Sequence, residues 1–397
     1  MGIRLAIFFG GKTVEHEVSI ISAIQAINSL DKSKYDLTPV YITKEGDLYV
    51  GPEVGTIEAY RDIPALLKKS QRVLLQRDGS RRLLLKYPLK KIGSPVYGEI
   101  DLAFPIVHGT NVEDGALQGF LKSLALPFVG CDVTASAVCM DKYVTKAVLK
   151  AGGIPVLDCR RVYVKNYFRE PEVLLDQMET AFSYPLIVKP VNLGSSIGIK
   201  KAFDRGGLRE AFEYAFEFTD VVLVEPAVAN LKEINCAVLG DLESAEASEC
   251  EEPINTDVIL SYEDKYISGG KSGGKSGSKG MSGAKRKLPA DISPETRDTV
   301  RQMALDTFRA LGCNGVSRID FLQDTVSGQV WVNEINPIPG SLSFYLWEPL
   351  GLSYPRLLDR LIDLALKRER ENADISFSFE TNLLANFTST GAKGAKG

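Results

Sequence analysis

Two histidines, two tryptophans and six cysteines in 397 residues leave little material for several common chemistries. The cysteines, at 131, 139, 159, 236, 250 and 313, form no CxxC pair. They read as reduced, packing thiols of a cytoplasmic protein. No serine or cysteine stands in a recognisable pairing with a histidine, so a protein nucleophile is not indicated. There is no basic excess either. A net charge of -4 argues against a general nucleic-acid binder, which needs a positive surface to meet phosphates. No apolar run approaches the roughly 18 residues that cross a bilayer. The opening MGIRLAIFFGG breaks into glycine early and lacks a cleavage pattern, which suits a core strand better than a signal peptide. Ala6 stands where N-myristoylation would need Ser or Thr. The same Ala6 denies GGKT the leading glycine of a GxxxxGK[ST] phosphate loop.

What is present is a chain with 44% hydrophobic residues, long enough for two or three cored domains. IRLAIFFGGK predicts a strand ending in glycine, and VEHEVSIISAIQAINSL a helix after it. That order opens an α/β domain and leaves free amides at the glycine turn. Glu15 falls in the first turn of the helix, either favouring its dipole or serving a site. KYDLTPVYIT is a second strand, residues 47 to 100 are hairpin-like and charged, and DLAFPIVHG is a third strand ending at His108. A histidine there suits a site, although a satisfied structural histidine is the commoner outcome. A helix over EDGALQGFLKSL, with Glu113 and Asp114 in its first turn, and a short strand LPFVGCD complete the segment.

MDKYVTKAVLKAGGIPV predicts a helix stopped by Gly-Gly, with Lys142 and Lys146 on one face. YPLIVKPVNLGSSIGIKKA reads as strand, turn and strand, with Lys189 at the end of the first and Gly194 to Gly198 as the turn. Such a turn can present amides and serine hydroxyls to an anion, or simply reverse the chain. DVVLVEPAV adds another strand, ending where Glu225 to Val228 could meet a flat ring. In SRIDFLQDTVSGQVWVNEINPIPG, two β-patterned runs flank Ser327-Gly328. A turn centred there sets Arg318 opposite Asn336, Asp320 opposite Glu334 and Leu322 opposite Val332. One face then carries a guanidinium, two carboxylates and an amide, a set suited to Mg²⁺ and phosphate. A solvated face with paired charges is the plainer reading of this stretch taken alone.

Taken together, GGKTVEHEVS, VHGTNVEDGALQG, MDKYVTK, the glycine-rich turn after VKP, the strand ending in VEP, RID and NEIN-x-x-PG resemble the D-alanine:D-alanine ligases of the ATP-grasp superfamily. The likeness runs from residue 4 to about 365. It implies an α/β (α+β) three-domain ATP-grasp fold with an N-terminal parallel-sheet domain. The expected units are 1-130 for substrate, 131-225 and 226-370 for the two ATP-grasp subdomains, a mobile loop near 261-287 and a flexible tail at 371-397. It further implies that Lys142 and Lys189 hold ATP phosphates under Gly194, Ser195, Ser196 and Gly198. Lys265 joins the nucleotide contacts, and Glu225, Val228 and Glu233 receive adenine and ribose. Asp320, Glu334 and Asn336 would hold two Mg²⁺ ions, with Mn²⁺ able to replace them. Arg318 and the Gly340 amide would meet an oxyanion, Glu15 the ammonium of the first D-alanine, and Ser195 and Tyr266 would link to Glu15. His108 lies near substrate in this picture.

The activity so implied is ATP-dependent joining of two D-alanines through an acyl phosphate, for peptidoglycan precursors, in the cytoplasm, by a homodimer that inserts into no membrane and binds no nucleic acid. The alternatives are a ligase with another second substrate, such as D-serine, or a nucleotide-binding regulator without turnover. Three departures stand out. KSGGKSGSKGMSGAKRK is a low-complexity basic run, and Gly269 to Ser276, overlapping its start, spells GxxxxGKS; the segment reads as a linker or lid because no buried strand precedes it and no helix follows. SLSFYLWEP follows Gly340, where the familiar ligases carry a serine and a leucine that contact the second substrate. Leu193 stands where many relatives have a glutamate.

Overall fold

The computed structural model describes residues 2–89, 93–254, 286–376 and 382. Lys265, Tyr266, nearly all of the basic run and the end of the chain lie outside them. Three sheets organise the rest. The first has seven strands in the order β6-β5-β4-β3-β2-β1-β7: β1 Ile3–Gly10, β2 Tyr35–Ile42, β3 Leu48–Val50, β4 Gln71–Asp78, β5 Arg81–Lys86, β6 Val96–Glu99 and β7 Leu102–Pro105. Only β2-β1-β7 is parallel. Residues 48 to 99 extend it as an antiparallel meander, so the sheet is mixed rather than wholly parallel. The place of β1 between β2 and β7, covered on both faces, suits its continuous apolar run, in which Leu5 to Phe9 are fully buried. LPFVGCD contributes a single bridge, Ala103 to Phe128, rather than a strand.

Helix α1, His16–Ser29, is buried on nearly every side. One flank lies on β1; another meets the 3₁₀ segment Gly340–Leu346 and the C-terminal helix Tyr354–Asn372. Glu15 sits at its N-cap rather than inside the first turn. Likewise Glu113 and Asp114 precede α3, Ala116–Ser123, because Gly115 with φ 96° forms the turn into it.

The second sheet, β10-β9-β11-β8, comprises β8 Arg160–Tyr163, β9 Leu186–Pro190, β10 Lys200–Ala202 and β11 Val221–Pro226. The third, β14-β13-β12-β15-β16, comprises β12 Leu231–Gly240, β13 Ala245–Pro253, β14 Arg286–Lys287, β15 Gly315–Asp324 and β16 Val330–Asn336, all antiparallel. Its apolar face packs on the helix Pro294–Ala310 and on α4, Val133–Met140, and α5, Lys142–Ala151. Its other face is polar at one end, where Glu251, Asn235, Asp320 and Glu334 stand directly opposite one another across four strands. The 3₁₀ segment covers the rest.

A candidate active site between three sheets

The hairpin places Arg318 opposite Asn336 and Asp320 opposite Glu334, as expected from alternation. Leu322, however, faces Trp331 and not Val332, because a bulge intervenes between Asp320 and Phe321. Asn333 is the extra residue, and the bulge re-aims it beside Glu334. Arg318 donates to both oxygens of Asp320 at 2.7 Å, and Asn336 Nδ2 donates to Asp320 Oδ2 at 3.3 Å.

Two lysines reach this face. Asp141 caps α5 by accepting from the Tyr143 and Val144 amides, which fixes Lys142 at the start of the helix. Its Nζ lies 3.2 Å from Glu334 and donates to the Leu193 carbonyl at 2.8 Å. Lys189, at the end of β9, donates to Asn333 Oδ1 at 2.9 Å and pairs with Glu225 at 2.5 Å. Lys146, one turn after Lys142, closes on the other oxygen of Glu225. Burial alone would push the Glu225 carboxyl up, but the two ammonium groups hold it down at about 2. Burial lowers Lys146 in turn, against the pull of Glu225. Val228 follows β11 toward β12, and Glu233 lies on the same face of β12 as Asn235, opposite Leu322.

The glycine-rich turn joins the first sheet to the second. Ser195 Oγ donates to Glu15 Oε1 at 2.5 Å. A Cβ at Gly194 would fall 2.7 Å from Glu15 Oε2, so a larger residue there would displace that carboxylate. Ser195 and Ser196 adopt left-handed backbone, with φ 55° and 59°, a conformation that costs a non-glycine residue about 1 kcal/mol or more. Gly198 closes the turn against Pro190 with φ +75°.

His108 is buried with both ring nitrogens engaged: Nδ1 meets the Ile338 carbonyl at 2.8 Å and Nε2 meets Ser22 Oγ at 2.9 Å. The carbonyl can only accept, so Nδ1 carries the proton and Nε2 accepts from Ser22. Ser22 Oγ accepts in turn from the Ser341 amide at 2.9 Å. Burial lowers the His108 pKa, in keeping with a neutral ring. Glu113 accepts from the Gly109 and Ile338 amides at 2.7 and 3.0 Å. Burial, with Glu15 nearby, pushes its carboxyl up to about 8. This network holds the turn that carries Gly340. Sequence reasoning singled out neither Ser22 nor Glu113 nor Asn333 as a site residue; Lys146 was visible only as the i+4 neighbour of Lys142.

Asp320 and Glu334 are facing hard-oxygen donors with Asn336 one pleat away, a set that fits a small divalent cation shared with phosphate oxygens. Among the described residues no three acidic, histidine or cysteine groups converge on one point, so the protein's share would be two carboxylates and an amide. Among them, too, no helix is long and apolar enough to cross a membrane.

Comparison with known proteins agrees with this geometry. The family described as D-ala D-ala ligase N-terminus matches residues 4–131, and D-ala D-ala ligase C-terminus matches residues 148–363. D-alanine--D-alanine ligase of Thermosipho melanesiensis is 38% identical over 382 residues, covering 96% of this chain and 98% of its own. D-alanine--D-alanine ligase A of Escherichia coli is 39% identical over 375 residues, covering 92% and 96%. The fold is similar to the D-alanine-D-alanine ligase of Coxiella burnetii, with TM-score 0.75, 32% identity and 94% and 96% coverage. It is equally similar to the VanG D-Ala:D-Ser ligase of Enterococcus faecalis, with TM-score 0.75, 31% identity and 92% and 100% coverage. With both family halves matched in order along one chain, this protein belongs to the D-alanine–D-alanine ligase family of ATP-dependent, ADP-forming ligases.

Proposed function

We propose that the protein joins two D-alanine molecules at the expense of ATP, supplying a peptidoglycan precursor. The observation that carries this reading is the approach of Lys142 and Lys189 to the Asp320–Glu334 face, with Glu15 and Ser195 linked across the gap. Lys142 and Lys189 would exchange their present partners for phosphate oxygens, beneath the amides of Gly194 to Gly198. Glu225, Val228 and Glu233 would receive adenine and ribose. Asp320, Glu334 and Asn336 would hold Mg²⁺, which when bound offsets phosphate charge.

Glu15 would receive the ammonium of the first D-alanine and so aim its carboxylate at the phosphoryl group. An unactivated carboxylate resists amines, and transfer of the γ-phosphoryl converts it into an acyl phosphate with ADP as leaving group. The amine of the second D-alanine then attacks. Arg318, kept in place by Asp320, and the Gly340 amide would meet the oxyanion before phosphate departs. Family likeness supports a cytoplasmic homodimer.

A second reading keeps the mechanism and changes the acceptor to D-serine. It is favoured by the run Ser341 to Trp347 and by similarity to a D-Ala:D-Ser ligase. ADP release with ATP, Mg²⁺ and D-alanine, against L-alanine, D-serine and D-lactate, decides between them. Release with D-alanine, together with the dipeptide, is expected. Silence with D-alanine and release with D-serine moves the assignment to the second reading, and silence with every acceptor overturns both.

A further inference from the structure

Two consecutive side chains of β16 meet the lysines, which regular alternation along a strand forbids. Glu334 lies 3.2 Å from Lys142, and Asn333 accepts from Lys189 at 2.9 Å. The ladder passes from Asp320–Glu334 directly to Phe321–Val332 and leaves Asn333 without an opposite number. Val332 and Ile335, on either side of the pair, stay in the core. The bulge thus interrupts the ladder for the sake of one amide, and bulges of this kind re-aim side chains beside functional sites.

The bond it makes crosses between sheets. Lys189 belongs to β9 of the second sheet, Asn333 to β16 of the third. Lys189 is 4% exposed, and a buried ammonium needs its donors met. Its other partner, Glu225, lies on the adjacent strand β11 and is shared with Lys146 of α5. Glu225 therefore draws Lys189 back along its own sheet, whereas Asn333 draws it across to the Asp320–Glu334 face. The two acceptors also differ in charge. One carboxylate between two ammonium groups leaves positive charge over, and the neutral amide does not cancel it. A carboxylate at 333 would hold the lysine equally well but would neutralise it.

This inference rests on the ligase reading, in which Lys189 meets the phosphates of ATP. We propose that Asn333 is a positioning residue for nucleotide binding: it aims the Lys189 ammonium at the phosphates and leaves its charge available to them. A neutral acceptor is also exchanged for a phosphate oxygen at smaller cost than a second ion pair.

The test is a double-mutant cycle in the full chain, with ATP affinity measured by calorimetry in the absence of D-alanine, so that no turnover is needed. Asn333→Leu, which keeps the bulk and removes the acceptor, should weaken ATP binding about ten-fold. Lys189→Met should weaken it further. In the Lys189→Met background, Asn333→Leu should change the affinity by less than about two-fold, because its effect passes through the lysine. Should Asn333→Leu fail to fold, Asn333→Ser, too short to reach Lys189, enters the same cycle. In turnover assays the KM for ATP should rise while the KM for D-alanine stays in place. Additive losses in the cycle, or a loss confined to measurements with Mg²⁺ and so traceable to Glu334, overturn the inference. A wild type that binds no ATP overturns the ligase reading with it, an outcome distinct from additivity in a chain that binds.

Discussion

Asp320 has two duties, and its neighbours show how to separate them. It faces Glu334 across the hairpin, and it accepts from the Arg318 guanidinium at two points. On the proposed metal assignment, Asp320→Asn exchanges a charged donor for a neutral amide and weakens the hold on Arg318, whereas Glu334→Gln makes the same exchange and loosens Lys142. Both should lower turnover about a hundred-fold or more, Asp320→Asn the more severely, with the melting temperature nearly unchanged; ADP release beside a thermal scan checks this, and a near-normal rate in either would refute the metal assignment. Lys146 is the opposite case, buried and structural. Lys146→Met leaves Glu225 with one cation and should cost about 3–5 kcal/mol in a denaturant titration. Alternation along RID and NEIN was enough to bring Arg318, Asp320, Glu334 and Asn336 to one face. It could not bring Asn333 there, because strict alternation turns that residue toward the core and only the bulge turns it back. Nor could local pattern pair Lys146 with Glu225, which sit on a helix of one layer and a strand of another.

Between elements, the most consequential junction is that of α1 with the turn after β16. Ser341, Leu342 and Ser343 have φ of 51°, 52° and 48°, three successive left-handed residues without a glycine among them. Such backbone persists only where its surroundings over-determine it. Here Ser22, Gln25, His108 and Glu113 grip it from the first sheet's side. Ser22→Ala would strand the Ser341 amide and His108 Nε2 together, costing about 1–3 kcal/mol and displacing the Gly340 amide. A lower melting temperature with a fall in kcat larger than the change in the KM for ATP is the expected outcome; unchanged kcat would deny the turn a role in positioning. The helix and the glycine turn were each legible in the sequence, but the clamp between them was not. It joins residues more than two hundred positions apart, and nothing in PIPGSLS signals a left-handed run of serines and leucine.

Across the whole molecule, Glu113 ties pH to stability. Its folded pKa of about 8 lies above the ordinary value of 4.5, so the folded state holds a proton that the unfolded chain has given up between those values. Its contribution is complete below about 4.5 and is lost as pH rises through 8. Glu113→Gln, which mimics the protonated form, should flatten the decline of stability over that window, as denaturant midpoints at successive pH values would show. The strands and helices that carry the proposed site residues were readable, whereas the strands Leu231–Gly240 and Ala245–Pro253 and the helices Pro294–Ala310 and Tyr354–Asn372 received no reading, and neither did the extension of the first sheet by residues 48 to 99, since charged hairpins give no sign of the edge they join. The lysines hold a last consequence. Lys146 and Lys189 share Glu225, Lys142 rests on Glu334, and Arg318 rests on Asp320. The site is therefore close to electroneutral before any nucleotide arrives, and loading it is a swap of counter-ions rather than the filling of a bare positive well. Nucleotide affinity should then change less between ~0.05 and ~0.3 M salt than three exposed lysines would dictate. The carboxylates released by that swap are themselves freed to take a cation, so nucleotide and metal should load together.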